Sequence, residues 1–101
     1  MFVHIVFWRL RDDADNGQSK EDNARQMKQL FENLRGKLPG LLRLDLGIDI
    51  SRAGDSADVA LYTEFADKAA YDHYYAHPLH VDIMGFMKGV RSERRVVDYE
   101  S

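Results

Sequence analysis

The chain has 101 residues, a formal net charge of -3 and no cysteine. This length fits a single domain. The acidic balance argues against nucleic acid as a partner, because phosphate backbones are bound by clustered positive charge. The absence of cysteine excludes disulfides, thiolate zinc sites and a thiol nucleophile.

No apolar run approaches the roughly 20 residues that a membrane helix requires, so no membrane partner is expected. Met1 is followed directly by a strand-like segment without a signal-peptide pattern. We therefore expect a cytoplasmic protein.

The first predicted element is a strand over residues 2–10, which are rich in β-branched and aromatic side chains. Alternate residues of a strand share a face, so His4, Val6 and Trp8 should point the same way. Ser19 is a suitable N-cap for an amphipathic helix that is predicted to end just before Pro39. The apolar stripe of this helix comprises Met27, Leu30, Phe31, Leu34 and Leu38.

Two further strands follow. Residues 41–50 alternate between apolar and other side chains, which predicts a strand with one apolar face. That face comprises Leu42, Leu44, Leu46, Ile48 and Ile50. Residues 58–65 predict the third strand. Its inner face comprises Val59, Leu61, Thr63 and Phe65.

The last third of the chain predicts a broken helix and a final strand. Asp67 should cap a helix over residues 68–76, and Pro78 should take His77 out of the helical region. A second helix begins at Pro78 and ends near Gly89, with the final strand over residues 94–99. The buried stripe of the second helix comprises Leu79, Ile83, Phe86, Met87 and Val90.

The order strand, helix, strand, strand, split helix, strand predicts a single α+β domain over residues 1–101 with a ferredoxin-like βαββαβ fold. Helices would cover one face of a four-stranded antiparallel sheet. The other face is also apolar, which predicts a homodimer in which two sheets pack together as a dimeric α+β barrel. Its residues are Val3, Ile5, Phe7, Ala60, Tyr62, Val97 and Tyr99.

Four segments carry a family resemblance. They are His4-Ile5-Val6, Leu38-Pro39-Gly40, Tyr74-Tyr75-Ala76-His77-Pro78-Leu79-His80-Val81 and Val96-Val97-Asp98-Tyr99. Together they resemble the Dabb family, the stress-responsive dimeric α/β-barrel domain, over nearly the whole chain. The resemblance implies a dimeric barrel, and many bacterial members have no assigned activity. A plant branch cyclises polyketide chains with a histidine and a tyrosine that correspond to His80 and Tyr74.

His80 and Tyr74 also suit proton transfer on chemical grounds. Imidazole titrates near neutral pH, and a phenol can donate a hydrogen bond to a developing enolate. His80 lies in the first turn of its helix, where the positive end of the dipole favours a neutral ring. Asp98, if the last strand brings it close, would orient His80 as a carboxylate orients the histidine of a catalytic triad.

We expect a pocket between the helices and the sheet. Its predicted lining comprises His4, Trp8, Phe31, Leu61, Tyr74, His80 and Phe86. The bulk of Trp8 and Phe31 favours a small, mostly apolar ligand with one carbonyl or enolisable group over a long polyketide. Arg91, Arg94 and Arg95 are interpreted as a solvated strand entrance or as dimer-rim ion pairs, although they could steer a carboxylate.

Neither a cofactor nor a metal is predicted. His73, His77 and His80 are close in sequence, but the predicted helix break at His77 and the lack of an HExxH pattern argue against a metal site.

Three functions remain open. The first is a small homodimeric Dabb-type protein of stress or accessory metabolism whose pocket binds a small molecule. The second is a cofactor-independent enzyme that cyclises or isomerises a carbonyl compound, with His80 as base and Tyr74 as acid. The third is a purely structural dimer in which the His77-Pro78 step is only a helix junction and the tyrosines fill the core.

Overall fold

The computed structural model describes all 101 residues. The strands are β1 (Phe2–Leu10), β2 (Leu41–Ile48), β3 (Val59–Phe65) and β4 (Arg91–Glu100). The helices are α1 (Lys20–Glu32), α2 (Lys68–Ala76) and α3 (Pro78–Lys88). The strands form one antiparallel sheet in the order β2-β3-β1-β4, which confirms the predicted ferredoxin-like fold. None of the helices has the length and apolarity needed to cross a membrane.

The core lies between the sheet and the helices. On β1, His4, Val6 and Trp8 are all buried, whereas Phe7 on the opposite face is 43% exposed. The inner face of β3 is likewise buried along its whole length. The predicted alternation of these two central strands is therefore confirmed, because each inner residue is covered by neighbouring strands and a helix.

Helix α1 is shorter than predicted. It ends at Glu32, and the following residues form turns in which backbone N–H groups bond to carbonyls three residues earlier. Gly36 then adopts a φ of 76°, which is incompatible with a continuing helix. Leu34 and Leu38 lie in these turns and are still buried in the core. Their spacing therefore continues the pattern of an amphipathic helix beyond the point where the helix ends.

Strand β2 also differs from its prediction. The pairing with β3 shifts register between Leu41 and Arg43, and this irregularity leaves Leu42 61% exposed. The strand ends at Ile48, so Ile50 lies in the following loop and is 93% exposed. Of the five residues predicted to share an apolar face, only Leu44 and Leu46 are buried.

The break between α2 and α3 lies where it was predicted. The Asp67 side chain accepts a hydrogen bond from the Ala70 backbone and caps α2. His77 has extended backbone angles, and its Nδ1 accepts a hydrogen bond from Leu79 N at 3.1 Å. His77 therefore ends one helix and caps the next, while Pro78 occupies the first turn of α3.

The outer sheet face, on the side away from the helices, is partly apolar. Phe7, Val97 and Tyr99 are each between 43% and 54% exposed there. Towards β2 the same face becomes polar, because the Arg43 guanidinium lies 5.4 Å from the Tyr62 ring centroid. Exposed apolar surface is therefore concentrated on β1 and β4.

Candidate active site

Five side chains with proton-transfer chemistry meet at one end of the sheet. This imidazole cluster comprises His4, Tyr71, Tyr74, His80 and Asp98. The rings of Tyr74 and His80 are the closest pair, with centroids 4.4 Å apart. The cluster draws on β1, α2, α3 and β4, so its geometry depends on the whole fold.

Tyr74 is buried at the centre of the cluster. Its ring packs beside Phe65 and His80, with centroid distances of 5.0 and 4.4 Å. Its hydroxyl is buried and has no hydrogen-bond partner. Burial raises the pKa of Tyr74 well above its usual value, so the phenol keeps its proton and remains a hydrogen-bond donor.

His80 is held by a backbone contact. Its Nδ1 donates to the carbonyl oxygen of Tyr75 at 2.9 Å, since that oxygen can only accept. In a neutral ring, Nε2 is then the acceptor, and it makes no protein hydrogen bond. Burial lowers the pKa of His80, and nearby His4 and Arg94 lower it further. His80 is thus suited to accept a proton or a hydrogen bond near neutral pH.

Asp98 contacts a different histidine from the one predicted. Its carboxylate lies 2.5 Å from Nδ1 of His4, whereas the Nδ1 of His80 is already bonded to the backbone. The expectation that Asp98 orients His80 is therefore wrong. The cause is the strand register, which places His4 directly opposite Asp98.

The contact with Asp98 fixes the orientation of His4. Nδ1 donates to the carboxylate, which leaves Nε2 as the acceptor in the neutral ring. Burial lowers the pKa of His4, and Asp98 opposes that shift through its hydrogen bond and its charge. The cluster therefore contains two imidazoles whose neutral form is favoured by burial.

The remaining predicted pocket residues lie elsewhere in the core. Trp8, Phe31 and Leu61 are almost fully buried, and the rings of Trp8 and Phe31 pack with centroids 5.7 Å apart. Phe86 is partly buried against the same core. Trp8 lies four residues beyond His4, or about 13 Å along a strand. The structure thus brings together His4, Tyr74, His80 and Asp98 and packs the others into the core.

Tyr71 was not assigned to the site from the sequence. Its ring centroid lies 4.9 Å from that of His4, and it stacks on Phe2 at 4.8 Å. Burial raises the pKa of Tyr71. The signal that could have identified it is its spacing, because residues three apart on a helix share a face and Tyr71 precedes Tyr74 by three.

One side of the cluster is open near β4. Residues opposite each other on antiparallel strands point to the same side, so Arg94, Val96 and Asp98 share the inner face of β4. Val96 is nevertheless 43% exposed. The helices therefore leave part of the inner face of this edge strand uncovered.

A surface cleft of about 540 Å³ lies at the other end of the sheet. Arg9, Lys20 and Asp58 are among its lining residues, whereas no member of the imidazole cluster contributes to it. No group of three histidine, aspartate or glutamate side chains is arranged to hold a metal ion.

The four-stranded antiparallel sheet, with helices on one face and the cluster beneath them, defines a ferredoxin-like α+β protein. The chain belongs to the Dabb family, the Stress responsive A/B Barrel Domain, whose model matches residues 2–101. No curated protein sequence matches the chain significantly.

Solved structures of similar proteins span nearly the whole chain. A dimeric protein of unknown function and ferredoxin-like fold from Bacteroides fragilis is 29% identical, with a TM-score of 0.86 and coverage of 99% of this chain and 95% of that one. A dimeric ferredoxin-like protein of unknown function from Thermobifida fusca is 20% identical, with a TM-score of 0.84 and coverage of 99% and 90%. The hydroxynitrile lyase from Passiflora edulis is 19% identical, with a TM-score of 0.78 and coverage of 97% and 90%.

Proposed function

We propose that this protein is a cytoplasmic homodimer that binds a small, mostly apolar molecule at the imidazole cluster. The observation that carries the proposal is the buried Tyr74 hydroxyl, which has no partner in the protein. Buried polar groups almost always have a hydrogen-bond partner, and leaving one unpaired costs about 1–3 kcal/mol. A ligand oxygen beside Tyr74 would satisfy this donor.

The ligand would approach from the open side at β4. Val96 on the inner face is 43% exposed and supplies an apolar contact surface there. Because Nε2 of His4 and Nε2 of His80 make no protein hydrogen bonds, both are available to a polar group of the ligand. A molecule with an apolar body and one carbonyl or enol group fits this combination.

The homodimer would form through the outer face of β1 and β4. Phe7, Val97 and Tyr99 are exposed there, and an apolar patch of this kind is typical of an interface. The relatives from Bacteroides fragilis and Thermobifida fusca are described as dimeric. Sedimentation at micromolar concentration should give about twice the 11.7 kDa chain mass. A monomer at that concentration would contradict the dimer.

A second candidate function is proton transfer on a carbonyl compound without a cofactor. The orientation of His80 favours it, since the backbone bond to Nδ1 leaves Nε2 as a free base. In this reaction Nε2 of His80 removes a proton from the carbon next to a carbonyl. Tyr74 stabilises the resulting enolate oxygen by a hydrogen bond. In isomerisation the proton then returns to another carbon. In aldol ring closure the enolate carbon bonds to a second carbonyl carbon, whose oxygen becomes an alkoxide and takes the proton from His80.

Binding and catalysis are tested separately. Titration of wild type and Tyr74→Phe with small ketones and hydroxyketones, followed by the imidazole NMR signals of His4 and His80, tests binding. Exchange of the ketone α-protons in D₂O tests catalysis, with His80→Ala as the variant. Unchanged exchange in His80→Ala would reject His80 as the base. If no probe perturbs the imidazole signals, the binding proposal fails and a purely structural dimer is supported.

A further inference from the structure

Arg94 belongs to the inner face of β4. It lies opposite Trp8 in the antiparallel register, and Trp8 points into the core. Its neighbour Arg95 lies opposite Phe7 and therefore occupies the outer face. Two adjacent arginines thus face opposite sides of the sheet, and Arg94 is the one on the side of the imidazole cluster.

The guanidinium of Arg94 has no partner in the protein. Its Nε is buried without an acceptor, and no carboxylate lies within ion-pair distance of the side chain. By contrast, Arg35 and Arg43 are each paired with Asp45. Asp98, the nearest acidic residue along the inner face of β4, is bonded to His4. A buried guanidinium N–H without an acceptor is unfavourable, because water no longer solvates it.

The charge of Arg94 reaches the imidazole cluster. Burial is the main cause of the lowered pKa of His4 and His80, and Arg94 adds to the lowering in both. Arg94 also opposes the increase that burial causes in the pKa of Tyr74. Between Arg94 and Asp98, on the same strand face, lies the exposed side chain of Val96.

We propose that Arg94 binds a carboxylate and that the ligand of this site is a small carboxylic acid with an apolar body. The carboxylate would accept hydrogen bonds from the Arg94 guanidinium, whose planar fork matches it. The apolar body would lie against Val96, and a second oxygen would reach Tyr74. This inference rests on the proposed function, since the ligand occupies the same site.

Matched pairs of probes test the role of charge. Hexanoate and octanoate are compared with hexanamide and octanamide, which have nearly the same shape and no charge. Binding is followed by the NMR signals of His4 and His80 at constant pH and ionic strength. We expect the carboxylates to bind wild type at least about ten-fold more tightly than the amides, as a charge-assisted hydrogen bond provides.

Three variants test whether Arg94 causes the preference for carboxylates over amides. Arg94→Gln removes the charge and the guanidinium group but keeps a polar side chain, and it should abolish the preference for carboxylates, while Arg94→Lys should retain part of it. Arg91→Gln is the control, because it removes the same charge from the same strand and Arg91 is not among the charges that influence the cluster. The Arg91→Gln variant should keep at least half of the wild-type ratio between the affinities for the carboxylate and for the amide.

Each other outcome overturns the inference in a distinguishable way. Equal binding of acids and amides rejects Arg94 as a carboxylate ligand and leaves the proposed binding function standing. Absence of binding by every probe, including the ketones above, rejects both. If Arg94→Gln instead weakens the dimer in sedimentation without changing the preference, Arg94 serves the assembly and the inference is wrong.

Discussion

Nδ1 of His4 and Oδ1 of Asp98 lie 2.5 Å apart and join the central strand β1 to the edge strand β4. His4 is buried, whereas the Asp98 side chain is 37% exposed. The carboxylate thus forms a link between solvent and an imidazole in the core. Asp98, a residue at the sheet edge, thereby opposes the decrease that burial causes in the pKa of His4.

Asp98→Asn should lower the pKa of His4 further. Burial already lowers it, and the substitution removes the hydrogen bond and negative charge that oppose this effect. Loss of an adjacent opposite charge is expected to shift the pKa by about one unit or more. An NMR pH titration of the imidazole signals measures it. His80 is the internal control, because Asp98 does not influence its pKa. An unchanged or higher pKa for His4 would contradict the assignment.

Acidification below about pH 6.5 should destabilise the fold. Burial lowers the folded-state pKa of both His4 and His80 below the usual histidine value of 6.5. Between the folded and unfolded values the unfolded chain binds more protons, so stability decreases as pH falls. The contribution of His4 and His80 to the free energy of unfolding is fully present above pH 6.5 and is lost as pH falls through their folded-state pKa values. Urea unfolding at intervals from pH 8 to pH 5 tests this, and His80→Gln should give a shallower slope.

Tyr74→Phe should increase stability, by about 1–3 kcal/mol. The hydroxyl that it removes is buried and unpaired, so no hydrogen bond is lost. Thr63→Val is the contrasting variant, because Thr63 Oγ1 donates to the His4 carbonyl at 2.7 Å. That substitution should cost about 1 kcal/mol. Chemical denaturation of both variants measures the difference, and a larger loss in Tyr74→Phe would show that its hydroxyl is bonded in solution.

Gly40→Ala should destabilise the protein more than Gly36→Ala. Both glycines have positive φ, so an added side chain strains either backbone by about 1–2 kcal/mol. A Cβ at Gly40 would also lie 2.5 Å from the Cβ of Ala70, whereas one at Gly36 meets nothing within 4 Å. Overpacking should add about 1–3 kcal/mol at Gly40. Equal losses in urea unfolding would show that α2 yields to the extra methyl group.

The sheet topology could be predicted from the sequence because the apolar pattern of each segment indicates a strand or a helix, and these elements follow the βαββαβ order. The pattern failed at Leu42 and Ile50, since apolar alternation does not reveal a register shift or the point at which a strand leaves its sheet. It failed also at the end of α1, where turns after Glu32 keep Leu34 in the core. In both places apolar spacing continued beyond the regular element.

Parts of the site follow from local sequence and parts do not. The proximity of Tyr74 and His80 follows from a helix break that Pro78 makes predictable. The partner of Asp98 depends on the register between the first and last strands, which no local pattern encodes. The inner position of Arg94 depends on the same register. One long-range pairing therefore explains both the partner of Asp98 and the inner position of Arg94.

The junction at His77 determines how the rings of Tyr74 and His80 are placed relative to each other. Tyr74 and His80 are six residues apart, and in an uninterrupted helix such positions would diverge by roughly 120° about the axis. Because the backbone of His77 is extended, α3 starts in a new orientation relative to α2. The ring centroids of Tyr74 and His80 therefore lie 4.4 Å apart. The number of residues between them is thus as specific a requirement as their identity. A single insertion in this segment would preserve both side chains and separate them.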